Sequence, residues 1–207
     1  MKRGFTLLEL LIVIGILAVL ATAAVLVLNP AELLRQARDS TRVADLTSLH
    51  KTVALYLTTI KNPLMDNGGG HCADQPAASH RVYSNLEGAT SSLTTFPYVS
   101  AVVVYPDNVS TTISRAVDGS GWLPVNLTAM ANSPLSKFPI DPVNATSTSS
   151  STTYVYIYGC DDASDTWVIT ARLESDKYIN TLGIQTRDGG QDDAIYEIGN
   201  APKLQIL

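Results

Sequence analysis

Charge is scarce in this chain. Of its 207 residues only 16% are Asp, Glu, Lys or Arg, against 45% hydrophobic. That poverty excludes a wholly disordered polyelectrolyte, which has many charges and few apolar side chains. The formal net charge is −5, so no basic footprint for nucleic acid covers the molecule. Two cysteines, Cys72 and Cys160, are too few for a disulfide-dense scaffold or a four-cysteine zinc module. The three histidines, His50, His71 and His80, form no evident triad with a placed serine. No G-x-S-x-G, H-E-x-x-H or Walker A string is present. The chain therefore reads as a non-enzyme, with no nucleotide site of its own.

What is plentiful lies at the start. Phe5 to Leu28 is an apolar run of 24 residues with one charge, Glu9. As a helix it covers about 36 Å, enough to cross a ~30 Å hydrocarbon core. Lys2 and Arg3 precede it and, by the positive-inside tendency, stay cytoplasmic, which leaves the bulk of the chain outside. Two ordinary readings are open: a secretory signal cut near Ala21-Thr22-Ala23, releasing a secreted enzyme, or a plain anchor for an adhesin or binding module. Neither explains Glu9. A carboxylate deep in hydrocarbon costs about 2.5–3.5 kcal/mol and usually has a partner. Near the interface it would instead gain from the positive end of the helix dipole.

The full string discriminates further. Met1-Lys2-Arg3-Gly4, then Phe5-Thr6-Leu7-Leu8-Glu9 and an unbroken apolar run, resembles the class III signal of type IV pilins and type II secretion pseudopilins. The resemblance implies a leader of residues 1–4, cut by a prepilin peptidase between Gly4 and Phe5. It implies methylation of the new amine, making Phe5 an N-methylphenylalanine, with the helix retained. It also gives Glu9 a partner, the N-terminal ammonium of a neighbouring subunit during assembly. Pairing within one chain is open too, since Phe5 and Glu9 are four residues apart. Both charges are costly in lipid, and a buried pair broken on one side is strongly unfavourable.

Asn29-Pro30 interrupts the run. Proline removes a helical hydrogen bond and disfavours helix at the residue before it, but suits the first turn of a new helix. The break is expected at Asn29 and Pro30, with Gly15 a second weak point. The breaker of filament-forming pilins lies a few residues earlier, which leaves the place of any melted segment open. From residue 31 to 61 an amphipathic helix is expected. Leu46, Leu49, Val53, Tyr56, Leu57 and Ile60 form its core stripe, and Arg35, Arg38, Asp39, Arg42, Asp45 and Lys51 its polar sides. The segment from Ala37 to Leu46 resembles the equivalent helix of G-type major pseudopilins. From Phe5 to Lys61 a straight helix would measure roughly 85 Å.

Charge separates stem from head. Up to residue 60 there are six Lys/Arg against four Asp/Glu; beyond it eight against fifteen. Residues 62–207 read as the head, with a long variable region over 62–120 and a sheet within 150–207. Strands are expected at Ser100–Tyr105, Tyr154–Tyr158, Thr166–Leu173 and Ala194–Ile198, with a hairpin loop over 159–165 and a short helix after Asn126. The strings beginning at Trp122, Phe138 and Thr170, with the Asp141-Pro142 turn, also resemble this family. The fold class is α+β and type IV pilin-like: a long hydrophobic N-terminal helix packed on a small antiparallel sheet.

Three chemical readings remain in the head. Outside the membrane Cys72 and Cys160 favour one disulfide, worth roughly 4 kcal/mol by chain entropy. Free thiols, or a metal with His71 and His80, stay open. Asp161, Asp162 and Asp165 form one acidic turn; Asp188, Asp192 and Asp193, around two glycines, form another. The second turn is the candidate calcium site, because hard cations want several oxygens on a tight turn and G-type pseudopilins carry a C-terminal calcium. The sequons at Asn108, Asn126 and Asn144 matter only in a host that glycosylates.

The expected protein is thus a filament subunit that lies in the cytoplasmic (inner) membrane before assembly and on the cell surface afterwards. Its partners would be further copies of itself, the prepilin peptidase, and an assembly ATPase with its inner-membrane platform. A type IV pilus and a secretion pseudopilus stay open.

Overall fold

A computed structural model describes residues 4–68, 72, 81–84, 103–105, 114–146, 153–161 and 164–201. Lys2, Arg3, His71, His80, Asn108 and Asp162 lie outside the described residues. The architecture is α+β and pilin-like: two N-terminal helices and a small sheet. Helix α1 spans Leu7–Leu28 and α2 spans Pro30–Thr59. Asn29 separates them in the left-handed conformation, φ 40° and ψ 74°, and its side chain accepts from Glu32 N. Pro30 fills the first position of α2, where its missing N–H costs nothing. The break thus has two causes in one dipeptide. Gly15 is a correction to the expected weak points: α1 runs unbroken through it. One helical glycine costs only about 1 kcal/mol relative to alanine, too little to end a 22-residue helix.

The main sheet has five strands in the order β2-β1-β5-β6-β7: β1 Arg81–Ser84, β2 Val103–Tyr105, β5 Tyr156–Asp161, β6 Thr166–Ala171 and β7 Tyr196–Gly199. Pairing is antiparallel except between β1 and β2. A separate ribbon pairs β3, Ala145–Thr146, with β4, Thr153–Tyr154. The tyrosine-rich run is therefore divided at Val155 between two sheets, not one strand. The β5–β6 hairpin loop is shorter than expected, since β5 continues through Cys160 and Asp161. A π-helical turn, Lys177–Leu182, and a 3-10 turn, Ile184–Thr186, precede β7; neither is visible as an apolar period.

Leu46, Leu49, Val53 and Tyr56 are all buried and face a core of Trp122, Leu123, Phe138, Tyr156, Tyr158 and Trp167. Leu57 and Ile60 pack at its margin. Each fully buried large side chain contributes about 1.5–3 kcal/mol, so this stripe is the main apolar glue between α2 and the head. The strings around Trp122 and Phe138 fold onto each other. Trp122 Nε1 donates to Pro139 O at 2.9 Å, and the two rings meet edge-on at 6.3 Å.

Cys72 and Cys160 are disulfide-bonded, with Cα atoms 4.9 Å apart and a sequence separation of 88. The bond fastens the residue 72 end of the variable region to β5. Replacing both cysteines with serine is expected to lower stability by roughly 4 kcal/mol. The measurement is the urea midpoint of the full chain in detergent; an unchanged midpoint would show that other contacts already close this loop.

Candidate functional site

Two polar constellations stand out, one at the start of the stem and one within α2. The first is at the start of α1. Thr6 is its N-cap, and Thr6 and Glu9 form a capping box. Glu9 N donates to Thr6 Oγ1 at 3.2 Å. Thr6 N and Thr6 Oγ1 both donate to Glu9 Oε2, at 3.0 and 2.8 Å. The helix therefore begins two residues later than Phe5, and Glu9 satisfies amides that the helix itself leaves open. Its other oxygen, Oε1, takes no part in the box. Gly4 and Phe5 lie outside the helix and are exposed, Phe5 by 82%. Leu7–Ala24 is long and apolar enough to cross a membrane, and none of it is buried in the protomer.

The second constellation joins α2 to the head, and here the expected polar sides of α2 need correcting. Asp39 and Arg42 are fully buried. Arg42 Nε and Nη2 donate to both oxygens of Asp141, at 2.7 and 3.0 Å. Arg42 Nη1 meets Asp39 Oδ1 at 2.8 Å and Glu174 Oε1 at 2.6 Å. The guanidinium lies 5.0 Å from the centroid of the Tyr154 ring. Arg38 binds Glu174 through two donors, at 2.9 and 2.6 Å. Asp39 also accepts from Glu174 N, Ser175 N and Ser175 Oγ. Asp141 holds its own turn by accepting from Val143 N and Asn144 N.

Two arginines here meet three carboxylates, and all are charge-assisted bonds. Asp39 and Arg42 sit one turn apart at i, i+3 and face inward together. The signal was readable only as a pair: each could have been a surface charge alone. Beside them Asp45 accepts from Tyr156 OH at 2.8 Å. Burial raises the Tyr156 phenol, and the Asp45 carboxylate raises it further. Burial also raises Asp45. Burial alone would raise Glu174, but hydrogen bonds from Arg38 and Arg42 outweigh it and hold it low.

In the acidic turn at 188–193 the carboxylates accept from the loop's own backbone. Asp188 accepts from Gly190 N and Glu197 N, and Asp192 from Ala194 N. Glu197 Oε2 accepts from Gln191 N and Asp192 N. Asp193 is exposed. Backbone amides thus bind several of these carboxylate oxygens. Among the described residues no three His, Cys, Asp or Glu side chains converge on a metal-sized space. Asp188, Asp192 and Asp193 are not brought together as such a group. Gly190 lets the turn close, since a Cβ there would strike the Glu197 carboxylate. Asp161 accepts from Ser164 Oγ, and His50 packs its ring 5.1 Å from Trp167.

Residues 1–25 match the family model of the prokaryotic N-terminal methylation motif. No curated protein and no solved structure matches the chain. The chain carries a prepilin-type signal, and the motif supports a type IV pilin-like or pseudopilin precursor.

Removing Arg42 leaves buried carboxylates unmatched. Arg42→Met is expected to destabilise the head by about 3–5 kcal/mol, and Arg42→Lys by less, because lysine keeps the charge without the two-pronged donor. Urea titration of the full chain in detergent measures both; a loss under 1 kcal/mol for the methionine variant would show that the cluster is not needed to hold the stem.

Glu174 gives a pH signature. Its folded-state pKa lies below the ordinary 4.5, so its stabilisation is complete above that pH and lost as the pH falls through the lowered value. Asp45, Asp188 and Glu197 are raised by burial and act with the opposite sign. The informative quantity is therefore the difference between the parent and Glu174→Gln. That difference is expected to be largest at neutral pH and to shrink below pH 4.5. A difference independent of pH would remove Glu174 from the ion cluster.

Proposed function

We propose that this chain is the structural subunit, the pilin, of an extracellular type IV pilus-like helical filament. The observation that carries the reading is the cleavage and methylation motif together with an uninterrupted apolar helix whose Leu7–Ala24 span is unburied. A peptidase cut after Gly4 frees the Phe5 amine and leaves that helix attached. The subunit then waits in the cytoplasmic membrane with its head outside. On assembly the helices form the filament core and the acidic heads its surface, with Glu9 taking the ammonium of a neighbouring Phe5. The work of extrusion comes from a partner ATPase and its membrane platform. The chain itself performs no catalysis.

A second reading, a major pseudopilin of a type II secretion system, is favoured by one feature. The Asp141-Pro142 turn, which resembles that of G-type pseudopilins, is clamped here by Arg42. Both readings share processing and assembly and differ in what the filament does.

Intact and N-terminal peptide masses of protein sheared from the cell surface test the shared part. The expected mature chain begins at Phe5 and carries one added methyl group. Glu9→Ala is expected to give processed, membrane-resident subunits and no sheared filaments. A chain beginning after Ala23, or an uncut Met1, would overturn the proposal.

A further inference from the structure

Helix α1 has 22 residues and rises about 33 Å, close to the ~30 Å of a hydrocarbon core. With α1 in the membrane, its end at Leu28 falls near the outer face of that core. The headgroup layer beyond is about 5–8 Å deep. Pro30 starts α2 directly after the break at Asn29. Leu33 and Leu34 stand one turn further, about 5 Å of rise. The length of α1 thus holds the first turn of α2 at the depth of the lipid headgroups.

One face of that turn is apolar. Pro30, Leu33, Leu34 and Ala37 follow the i, i+3, i+4, i+7 spacing of a single helix face, and all are exposed. Leu33 is 50% exposed and Leu34 62%. The next turns of the same face carry Ser40, Thr41, Ala44, Ser48 and Lys51, also exposed. The change from leucine to small and polar side chains falls within a turn of where α2 leaves the headgroup layer. The protomer's own head does not cover the leucines, because it binds the opposite side of α2: Glu32 accepts from Asp176 N, and Asp39 from Ser175 N.

We propose that, before assembly, the base of α2 is a second membrane contact, with Pro30, Leu33 and Leu34 seated among the lipid headgroups and first acyl carbons of the outer leaflet. An amphipathic helix start gains from this position because its apolar side chains leave water while its backbone stays hydrogen-bonded. The head, bound to the other side of the same turns, is thereby held at the membrane surface. Extraction into a filament then has to move these leucines out of lipid as well as α1. The proposal rests on the membrane-resident stage of the filament reading and adds the interfacial contact.

The test is fluorescence quenching of the full chain in vesicles of phosphatidylethanolamine and phosphatidylglycerol. The native cysteines are already paired, so Leu34→Cys and Ser48→Cys each supply one free thiol for an environment-sensitive dye. The two positions share a face and differ by about 21 Å along the helix. Expected at position 34 is a blue-shifted emission, quenched by headgroup-nitroxide lipid and shielded from iodide placed on both sides of the bilayer. Position 48 is expected to show the reverse. A dye at 34 as open to iodide as the one at 48 overturns the proposal. Shielding from both quenchers means that protein covers the face, and overturns it too. A chain that fails to float with the vesicles overturns the membrane reading itself.

A second measurement needs no substitution. The parent chain is irradiated in the same vesicles with a lipid that carries a diazirine near its headgroup, and the adducts are placed by peptide fragmentation. Adducts at Leu33 and Leu34, with none from Ser40 to Lys51, are expected. Adducts that stop at Leu28, or that continue evenly through Lys51, overturn the proposal.

Discussion

The arrangement of this molecule depends on one guanidinium. Arg42, fully buried, touches side chains from three separate stretches: Asp39 on its own helix, Asp141 in the turn after the Trp122 and Phe138 strings, and Glu174 just beyond β6. An apolar stripe attaches α2 to the head without strongly fixing its register, since hydrophobic contact is non-directional. The five donors of a guanidinium lie in one plane at fixed angles. Satisfying Asp141 from one edge and Asp39 with Glu174 from the other leaves little freedom to slide or rotate the helix. The apolar residues supply most of the free energy; the ion cluster selects the one arrangement in which no charge is stranded.

The same logic explains why the neighbouring loops need so little regular structure. Residues 174–176 follow β6 without a strand partner, yet Asp39 takes two of their amides and Glu32 takes a third, Asp176 N. Carboxylates on α2 perform for this loop what a cap does for a helix, satisfying donors that would otherwise be buried unpaired. The turn at 188–193 is organised in the same way by Asp188 and Glu197. Acidic residues in this head thus serve largely as acceptors for backbone.

That use of acids decides what could be read from the sequence. The stem was legible because its signals are local: a basic leader, an apolar run, Asn29-Pro30, and a stripe at helical spacing. Leu46, Leu49, Val53 and Tyr56 lie where periodicity puts them. The paired strands around Cys160 and Trp167 were legible through their apolar, β-branched and aromatic residues. Asp39 and Arg42 were misread as surface because their partners in the head are 99 to 136 residues away in sequence, and period alone treats charge as solvated. Asp188 and Asp192 looked like cation ligands because a turn rich in carboxylates and glycine serves a metal or its own amides equally well. Here the N–H groups of the turn point at these carboxylates, a direction that composition does not record. The two-residue strands β3 and β4 and the π-helical turn carry no periodic signal at all.

At the start of the stem the constraint is inverted. Leu7–Ala24 has no burial within the protomer, an apolar surface far larger than a water-soluble monomer tolerates. Only lipid or other helices can cover it. Moving it from lipid into a bundle gains little from the hydrophobic effect, because hydrocarbon and leucine are alike as solvents. Close packing and polar contacts must then decide how such helices associate. Glu9 is the one charge available in that stretch. The capping box holds one of its oxygens and leaves the other outside the box, so the carboxylate can accept a cation without giving up the helix start. Register at the bottom of the stem would then rest on one carboxylate, as the head's register on the stem rests on one guanidinium.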